Sequence, residues 1–486
     1  MGTSSRNVSE GGRGRFLAWA PEAPEGEADL QPSATIPRGP KGPAFVHALR
    51  ARRDPFGTLE RLARDYGDVV CLRLAGRRAY IINDPALIRG ILVDQAKAFP
   101  RGAVSPLTER LLGGSIVGSE GADHHRKKAA ALPTVNHERL ERTLETAARE
   151  VDSLEAEWRP GSVRNVAEDM YALSMQIAAS SLFSIRDPAK VAELRRLLES
   201  AMGGYQRSLH PARPLLDRFP SRRTREARDS TTRLLALVDG LVERRLASPP
   251  RQGDALDVLV GVRRGEGGSN WPSAPELRAI ALDLLIASVA TIGHALTWTL
   301  HDLAALPAVQ EAVAGEAHFV LDGKAPGLAE VGQLNHAQAC FKEGLRLHPP
   351  VWAFVRRTAG AVVIGGLALP SGAFVVLSPR LTQRDVRFFP EPSRFDPSRW
   401  AESAPPAGGG MTYFPFGAGP YGCLGEGLAM AQGTLVLAML VRDFSFATAP
   451  GPPPQEPAAA LQPRRPVLLG VHARAPRGSP SRAPTP

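Results

Sequence analysis

The chain reads Phe416-Gly417-Ala418-Gly419-Pro420-Tyr421-Gly422-Cys423-Leu424-Gly425 directly before an apolar run that is typical of a helix. Three glycines precede Cys423 in this loop and one follows it, and glycine allows positive φ and a close approach of the backbone to a flat ligand. The amides of such a loop can donate hydrogen bonds to a sulfur atom, and the positive end of the following helix favours a thiolate over a thiol. We therefore predict that Cys423 is a thiolate ligand of a metal ion.

Two other interpretations of this loop stay open from the residues alone. A lone cysteine before a helix is commonly a small inert hydrophobic residue, which is how we interpret Cys71 and Cys340, whose neighbours are apolar. The run 417–422 also fits the dinucleotide-binding pattern G-x-G-x-x-G, with Asp443 about twenty residues further on. That pattern requires a strand before the loop and a βαβ unit after it, whereas Pro415 stands where the strand would end.

The loop resembles the cysteine-ligand loop of the cytochrome P-450 family, F-G-x-G-x-R-x-C-x-G. The positions that match are Phe416, Gly417, Gly419, Cys423 and Gly425. Tyr421 departs from the pattern, because the family usually has arginine or histidine there, paired with a haem propionate; tyrosine can donate a hydrogen bond but brings no charge. The resemblance implies that Cys423 ligates the iron of haem b, and that Phe416, Gly417 and Tyr421 contact the cofactor.

Two further segments resemble the parts of this family that brace the cysteine loop. Glu343-Gly344-Leu345-Arg346 places a carboxylate and a guanidinium three residues apart on one predicted helix, which His348-Pro349-Pro350 ends. Phe395-Asp396-Pro397-Ser398-Arg399-Trp400 adds a second guanidinium. They resemble the family's E-x-x-R helix and its later arginine, which implies structural roles for Glu343, Arg346 and Arg399.

A basic segment, Asp123-His124-His125-Arg126-Lys127-Lys128, resembles the family's W-x-x-x-R helix. His124 stands in the tryptophan position and Lys128 in the arginine position. Because propionates need cations or strong donors nearby, the resemblance implies that His124 and Lys128 bind them. Arg356 fits another such position of the family, with the adjacent Arg357 as a substitute.

The longest apolar run includes Ala287-Ser288-Val289-Ala290-Thr291 and resembles the family's oxygen-binding helix, whose motif is A-G-x-D/E-T. Thr291 is kept, which implies a catalytic hydroxyl that helps hold oxygen and a water. Ala290 replaces the acid and cannot titrate, so we hypothesise that protons arrive through a substrate hydroxyl or ordered waters. His294, three residues after Thr291, is interpreted as a packing or hydrogen-bonding residue.

The periodicity of the chain predicts a mainly α fold with a small β-rich lobe. From about residue 85 to 348 the pattern is mostly helical, whereas runs at 69–74, 78–82, 362–369 and 374–377 predict strands. The resemblance implies the cytochrome P-450 fold, with haem between the long central helix and the cysteine loop.

Composition predicts the domain boundaries. Residues 36–473 are predicted to form a single haem-thiolate catalytic domain. Residues 1–35 and 474–486 are rich in Gly, Pro and Ser, which predicts a disordered N-terminal arm and a disordered tail.

The overall composition limits the cellular compartment and the binding partners that we expect for this protein. The net charge is +10, but the arginines are scattered and do not alternate with aromatic residues, so we expect no nucleic-acid binding. Three cysteines are too few for a disulfide framework or a zinc site, which indicates a reducing compartment. Asp283 and His294 interrupt the apolar run at 279–300, so it predicts a core helix and no membrane span. We expect a cytoplasmic monomer.

The resemblance implies an oxidoreductase, a monooxygenase that inserts one atom of O2 into an apolar small molecule by hydroxylation or epoxidation. The expected substrate is a terpene, fatty acid, steroid or polyketide of secondary metabolism, and the loop at 99–117 is expected to contribute to substrate specificity. Electrons are expected from ferredoxin and ferredoxin reductase, with Arg126 and Lys127 as docking candidates. Because Ala290 replaces the acid, a haem-thiolate isomerase, dehydratase or peroxygenase is an alternative function. Two further alternatives are a dinucleotide-binding reductase and a non-catalytic helical binding protein.

Overall fold

The computed structural model describes residues 37–40, 53–74, 77–101, 113–208, 221–249, 253–265, 271–322, 326–400, 410–448, 455–457 and 460–474. The predicted N-terminal arm lies outside the described residues, as do all but the first residue of the predicted tail and residues 102–112 of the predicted substrate loop.

Helices make up most of the described chain. In chain order they are α1 (Pro55–Tyr66), α2 (Pro85–Arg89), α3 (Gly121–Ala131), α4 (His137–Glu157), α5 (Val166–Phe183), α6 (Pro188–Ser208), α7 (Arg222–Ala247), α8 (Ala255–Gly265), α9 (Ala274–Leu303), α10 (Pro307–Leu321), α11 (Leu328–Val331), α12 (Asn335–Leu347), α13 (Pro379–Thr382) and α14 (Glu426–Asp443). A π-helical turn, Gly90–Asp94, continues α2.

The strands are short and form small sheets. They are β1 (Val69–Leu74), β2 (Arg77–Ile82), β3 (Ser162–Asn165), β4 (Phe354–Arg357), β5 (Val362–Ile364), β6 (Leu367–Leu369), β7 (Phe374–Leu377), β8 (Phe444–Thr448), β9 (Gln455–Pro457), β10 (Leu461–Pro463) and β11 (Leu468–Ala473). One sheet has the order β1-β2-β7-β4, with β2 and β7 parallel and the other pairs antiparallel. A second has the order β3-β11-β8, and β5-β6 and β9-β10 are two-stranded.

The central helix α9 is the predicted core helix. A capping box starts it, since the Ser273 hydroxyl accepts from the Glu276 amide and the Glu276 carboxylate accepts from the Ser273 amide at 2.8 Å. This helix is long and apolar enough to span a membrane, but 67% of its most apolar window is buried inside the structure. Helix α5 crosses it closely at Gly293, where an added Cβ would lie 3.1 Å from the Met170 carbonyl oxygen.

Several sequence predictions need correction in detail. The predicted strand at 362–369 is a hairpin, β5-β6, that turns at Gly365 and Gly366, both with positive φ. The sheet β3-β11-β8 was not predicted, because β3 is a four-residue polar strand with no pattern of its own.

The topology after the cysteine loop shows that the dinucleotide-binding alternative is wrong. A βαβ unit needs a strand parallel to one that precedes the glycine loop. Here α14 runs into β8, which pairs antiparallel with β11. No strand leads into the loop within the described residues 410–415.

Candidate active site

The cysteine loop is a tight turn that depends on glycine at two positions. The Cys423 amide donates to the Phe416 carbonyl at 2.9 Å, which closes the loop. Gly417 and Gly419 have φ of 69° and 66°, in the left-handed region that favours glycine. An added Cβ at Gly419 would lie 2.1 Å from the Leu92 carbonyl oxygen, so the loop is pressed against the π-helical turn after α2. These contacts hold the backbone that carries Cys423.

Cys423 faces an internal cavity of about 690 Å³. The loop contributes Phe416, Tyr421 and Cys423 to its lining, and α9 contributes Ala287 and Thr291. Ala287 is exposed although it lies in the middle of the core helix, because it faces this cavity. The predicted placement of the site, between the long central helix and the cysteine loop, matches this geometry.

The loop alone does not lower the pKa of the Cys423 thiol. Burial raises its pKa, and Glu426 adds to this effect, whereas the Gly425 amide and the Lys128 ammonium lower it. The amide therefore acts in the predicted direction, but burial outweighs it. A coordinated metal ion deprotonates a cysteine thiol directly, so the loop need not do so by itself.

The two segments predicted to brace the loop meet in the interior. Arg346 donates to both oxygens of Glu343 at 2.8 Å, and neither side chain is exposed. Arg399 lies 3.4 Å from the same carboxylate. The indole of Trp400 and the amide of Asp396 also donate to Glu343, at 3.0 and 2.9 Å. These added bonds offset the desolvation of a buried ion pair.

Gln383 links this brace to the cysteine loop, and the sequence analysis did not identify it. Its side-chain amide donates to the carbonyls of Leu345 and Arg346, at 3.1 and 3.0 Å. Its side-chain oxygen accepts from the Phe414 amide at 3.0 Å, two residues before Phe416. A lone glutamine at the end of a short helix, here α13, carries no motif, so only the fold reveals this link.

His124 and Lys128 of α3, which the resemblance implies as propionate partners, both reach the cysteine loop. The Lys128 ammonium donates to the carbonyls of Pro420 and Gly422, each at 2.9 Å. The His124 ring lies between two carbonyls, with Nδ1 2.9 Å from Ile116 and Nε2 3.3 Å from Pro420. Burial lowers the pKa of His124, and the nearby cations add to this effect.

Two arginines approach the Tyr421 ring. The guanidinium carbon of Arg356 lies 5.5 Å from the ring centroid, and that of Arg101 lies 4.9 Å from it. Arg356 is buried in β4, whereas the neighbouring Arg357 is only half-buried, as expected where side chains alternate between two faces. The sequence analysis missed Arg101, because no motif surrounds it.

On helix α9, Thr291 presents its hydroxyl to the cavity, and the residue before it is Ala290 instead of an acid. Thr291 lines the cavity, and its hydroxyl donates to the Ala287 carbonyl one turn earlier. Ser288 donates in the same way to Leu284 at 2.7 Å. Ala290 is partly buried and lies outside the cavity lining within the described residues.

The donor set fits haem b. A cysteine sulfur suits iron, and it shares its cavity with His124, Lys128 and Arg101. The hydrogen bonds of Arg101 and Lys128 within the described residues all end on backbone carbonyls. A cofactor that carries two carboxylates complements this surplus of positive charge.

Comparison with known proteins decides the family. The family model for Cytochrome P450 matches residues 37–471. The chain belongs to the cytochrome P450 family. This cytochrome P450 is 32% identical to cyclooctatin synthase of Streptomyces melanosporofaciens, over 84% of this chain and 89% of that protein. It is 27% identical to pentalenene oxygenase of Streptomyces avermitilis, over 89% of this chain and 96% of that protein.

A solved structure shows the same fold. The structure of retinoic acid bound cyanobacterial CYP120A1 superposes with a TM-score of 0.78 and covers 91% of this chain and 100% of that one, at 22% identity. The predicted family and fold are therefore confirmed. The protein is a cytochrome P450 monooxygenase that takes haem b as its cofactor and uses O2, a small-molecule substrate and a redox partner.

Proposed function

We propose that this cytochrome P450 hydroxylates or epoxidises a cyclic terpene in secondary metabolism. The observation that carries this proposal is the similarity over most of the chain to pentalenene oxygenase and cyclooctatin synthase. The cavity supports it, because the segments that carry Thr291 and Phe354 contribute apolar residues to its lining: Leu284, Ala287, Ile292, Ala295, Val351 and Phe354. Such residues bind a hydrocarbon by burying it.

Cys423 is the proposed iron ligand, and Phe416 and Gly417 complete its surroundings. Phe416 lines the cavity beside the sulfur. Gly417 supplies the positive φ that turns the loop, and an added Cβ there would lie 3.4 Å from the Phe354 ring. When bound, haem b supplies the oxygen-activating chemistry. The residues of the loop would hold it.

His124, Lys128, Arg356 and Tyr421 are the proposed propionate partners. They converge from α3, β4 and the cysteine loop: the rings of His124 and Tyr421 lie 4.7 Å apart, and Arg356 approaches the same tyrosine. Cations and hydroxyl donors are the groups that orient carboxylates. We assign them to holding the cofactor rather than to the reaction itself.

Thr291 and Ala290 are the proposed catalytic positions on α9. The hydroxyl proton of Thr291 is donated to Ala287, so its oxygen is left to accept a hydrogen bond from a water or from a substrate hydroxyl. Ala290 can neither supply nor relay a proton. Ordered waters or the substrate itself therefore carry protons to the site.

Ferredoxin is the proposed electron donor, and docking would use the basic surface of α3. Arg126 is half exposed on this helix, although it also pairs with Asp123 and Glu276. The expectation for Lys127 is wrong, because its side chain is buried and paired with Asp123. We also propose that the protein is a cytoplasmic monomer, as its small number of cysteines and its core helix α9 suggest.

A titration monitored in the Soret band tests the substrate class. We expect pentalenene and related polycyclic terpenes to shift the band by displacing the iron-bound water, with fatty acids and steroids as comparison ligands. Product should then form only with O2 and reduced ferredoxin. A shift with a steroid or fatty acid and none with any terpene contradicts the proposed substrate, and oxygen-independent turnover contradicts the proposed reaction.

A further inference from the structure

We propose that Trp298 and His348 are positioning residues for the substrate. Stacked on each other, they hold β9 and β10 in place, and through these strands they hold the cavity wall at Pro350 and Val351. This inference rests on the proposed function and deepens it, because it concerns one wall of the same substrate cavity.

The two rings stack where α9 and α12 approach each other near their ends. Trp298 lies on α9, and His348 follows Leu347, the last residue of α12. Their ring centroids are 4.9 Å apart with an angle of 17° between the ring planes, and both residues are buried. Aromatic rings at this separation attract each other, so the pair joins the two helices.

His348 connects this pair to β9. Its Nε2 lies 2.7 Å from a carboxylate oxygen of Asp302, which can only accept when ionised, so the ring proton is on Nε2. Burial lowers the pKa of His348, which keeps the ring uncharged at neutral pH and leaves Nδ1 as an acceptor. The side-chain amide of Gln455 donates to Nδ1 at 2.5 Å, and this bond ties β9 to the stacked pair.

Trp298 makes the second connection, to β10 and to the cavity wall. Its indole Nε1–H donates to the Leu461 carbonyl at 3.3 Å. The Leu461 amide donates in turn to the Pro350 carbonyl at 2.8 Å, and Pro350 and Val351 line the cavity. Because β9 and β10 pair with each other, the stacked rings hold both strands, and β10 holds the wall.

The effect of the pair on a ligand is indirect. Trp298 and His348 lie outside the cavity lining within the described part of the chain. A shift of the wall would change the space beside Val351, whereas Cys423 and Thr291 are held by bonds of their own, to Phe416 and Ala287. The pair should therefore affect ligands that fill the cavity more than small ligands that bind only at the iron.

A purely structural role is the competing explanation, because the same contacts join α9, α12 and the two strands. Loss of structure alone would lower stability and weaken the binding of large and small ligands alike. Selective weakening of a large ligand in a folded holoenzyme is therefore the sign of a positioning role.

The test compares the binding of two azoles to the holoenzyme. Imidazole ligates a haem iron through one nitrogen and can do so without filling the cavity, whereas clotrimazole carries three aromatic rings beside its imidazole and has to occupy the cavity. Both dissociation constants are measured in the Soret band, alongside the urea midpoint of each variant.

Two variants each remove one hydrogen bond of the network. Trp298→Phe keeps an aromatic ring against His348 but loses the donor to Leu461. Gln455→Leu has a similar shape but no donor to His348. Gln455 is only partly buried, so its variant decides the question if Trp298→Phe does not fold.

We expect both variants to bind clotrimazole about threefold to tenfold more weakly, as the loss of one hydrogen bond implies. Imidazole should bind within about twofold of the parent, because its site is separate from the wall. Trp158→Phe is the matched control: this tryptophan is also buried, but its Nε1–H has no partner among the described residues, so both constants should stay unchanged.

Equal weakening of both azoles, or clotrimazole binding no weaker than in the parent, overturns the proposal. No terpene enters the experiment, so its outcome is separate from that of the terpene titration.

Discussion

Arg346 and Glu343 form a bidentate salt bridge, in which both nitrogen–oxygen distances are 2.8 Å. Both side chains are completely buried. The same guanidinium donates to the carbonyls of Gln383, Pro392 and Arg394, at 2.8, 2.8 and 3.0 Å. This pair therefore joins α12 to the segment that leads to the cysteine loop.

Removing one partner of this pair should unfold the region. Arg346→Ala leaves the Glu343 carboxylate buried with fewer donors, and breaking a buried pair costs about 3–5 kcal/mol in the free energy of unfolding. Urea unfolding of the holoenzyme, followed in the Soret band and by circular dichroism, measures the loss.

The chain offers a matched control for this substitution. Arg394 pairs with Glu391 at the same spacing and at the same 2.8 Å, but both side chains are about two thirds exposed. Arg394→Ala should change stability very little, because water screens an exposed pair. Equal losses in the two variants would show that the buried pair has no special structural role.

Restoring an acid beside Thr291 should improve the use of electrons. Ala290→Asp supplies a group that can titrate near the proposed catalytic hydroxyl. We expect more product per electron consumed and less hydrogen peroxide. Ala290→Asn is the control, because it has nearly the same shape and no acid. No change in the aspartate variant, or an equal change in both, would contradict the idea that proton delivery is limited at this position.

His294 should make the protein sensitive to acid. Neither of its ring nitrogens has a hydrogen-bond partner among the residues that the structure describes, and burial lowers its pKa to about 4. Because the folded state takes up this proton less readily than the unfolded state, stability is lost as the pH falls from about 6.5 through 4. The loss approaches about 3 kcal/mol once both states are protonated.

The variant His294→Phe should therefore flatten the pH dependence of stability in that range. Urea midpoints between about pH 4 and 7.5 measure the slope. His137→Gln is the control, since this side chain is exposed at a helix start. A slope in His294→Phe equal to that of the parent would mean that His294 keeps an ordinary pKa in the fold.

The close packing of α12 and α14 should not tolerate a methyl group at Gly433. An added Cβ there would lie 2.2 Å from the ring of Phe341, which is itself buried. We expect Gly433→Ala to cost about 1–3 kcal/mol of unfolding free energy through overpacking. Gly261→Ala is the control, because this position of α8 is exposed and an added Cβ would meet nothing within 4 Å; it should stabilise by about 0.5–1 kcal/mol. Loss in both variants would point to backbone effects instead of packing.

The sequence alone was sufficient for features that are local along the chain. The cysteine loop, the Glu343–Arg346 spacing and the apolar helix that contains Thr291 can each be recognised within a few turns of chain, because their chemistry depends on neighbours at fixed offsets. These features predicted the family, the fold and the cofactor, which the comparisons confirm. The same resemblance predicted His124 and Lys128 as propionate partners, which stays a prediction.

The tertiary structure was needed to reveal contacts between residues that lie far apart in the sequence. Arg101 reaches Tyr421, Gln383 reaches Phe414, and β3 pairs with β11 across some 300 residues, without any pattern in the intervening chain. The direction of the shift in the pKa of the Cys423 thiol could not be predicted from the sequence either. Burial raises this pKa more than the hydrogen bond from the loop amide lowers it, and burial is a property of the folded molecule. Local motifs that resemble those of the family thus indicated which cofactor this protein holds, and packing determined which charges surround it.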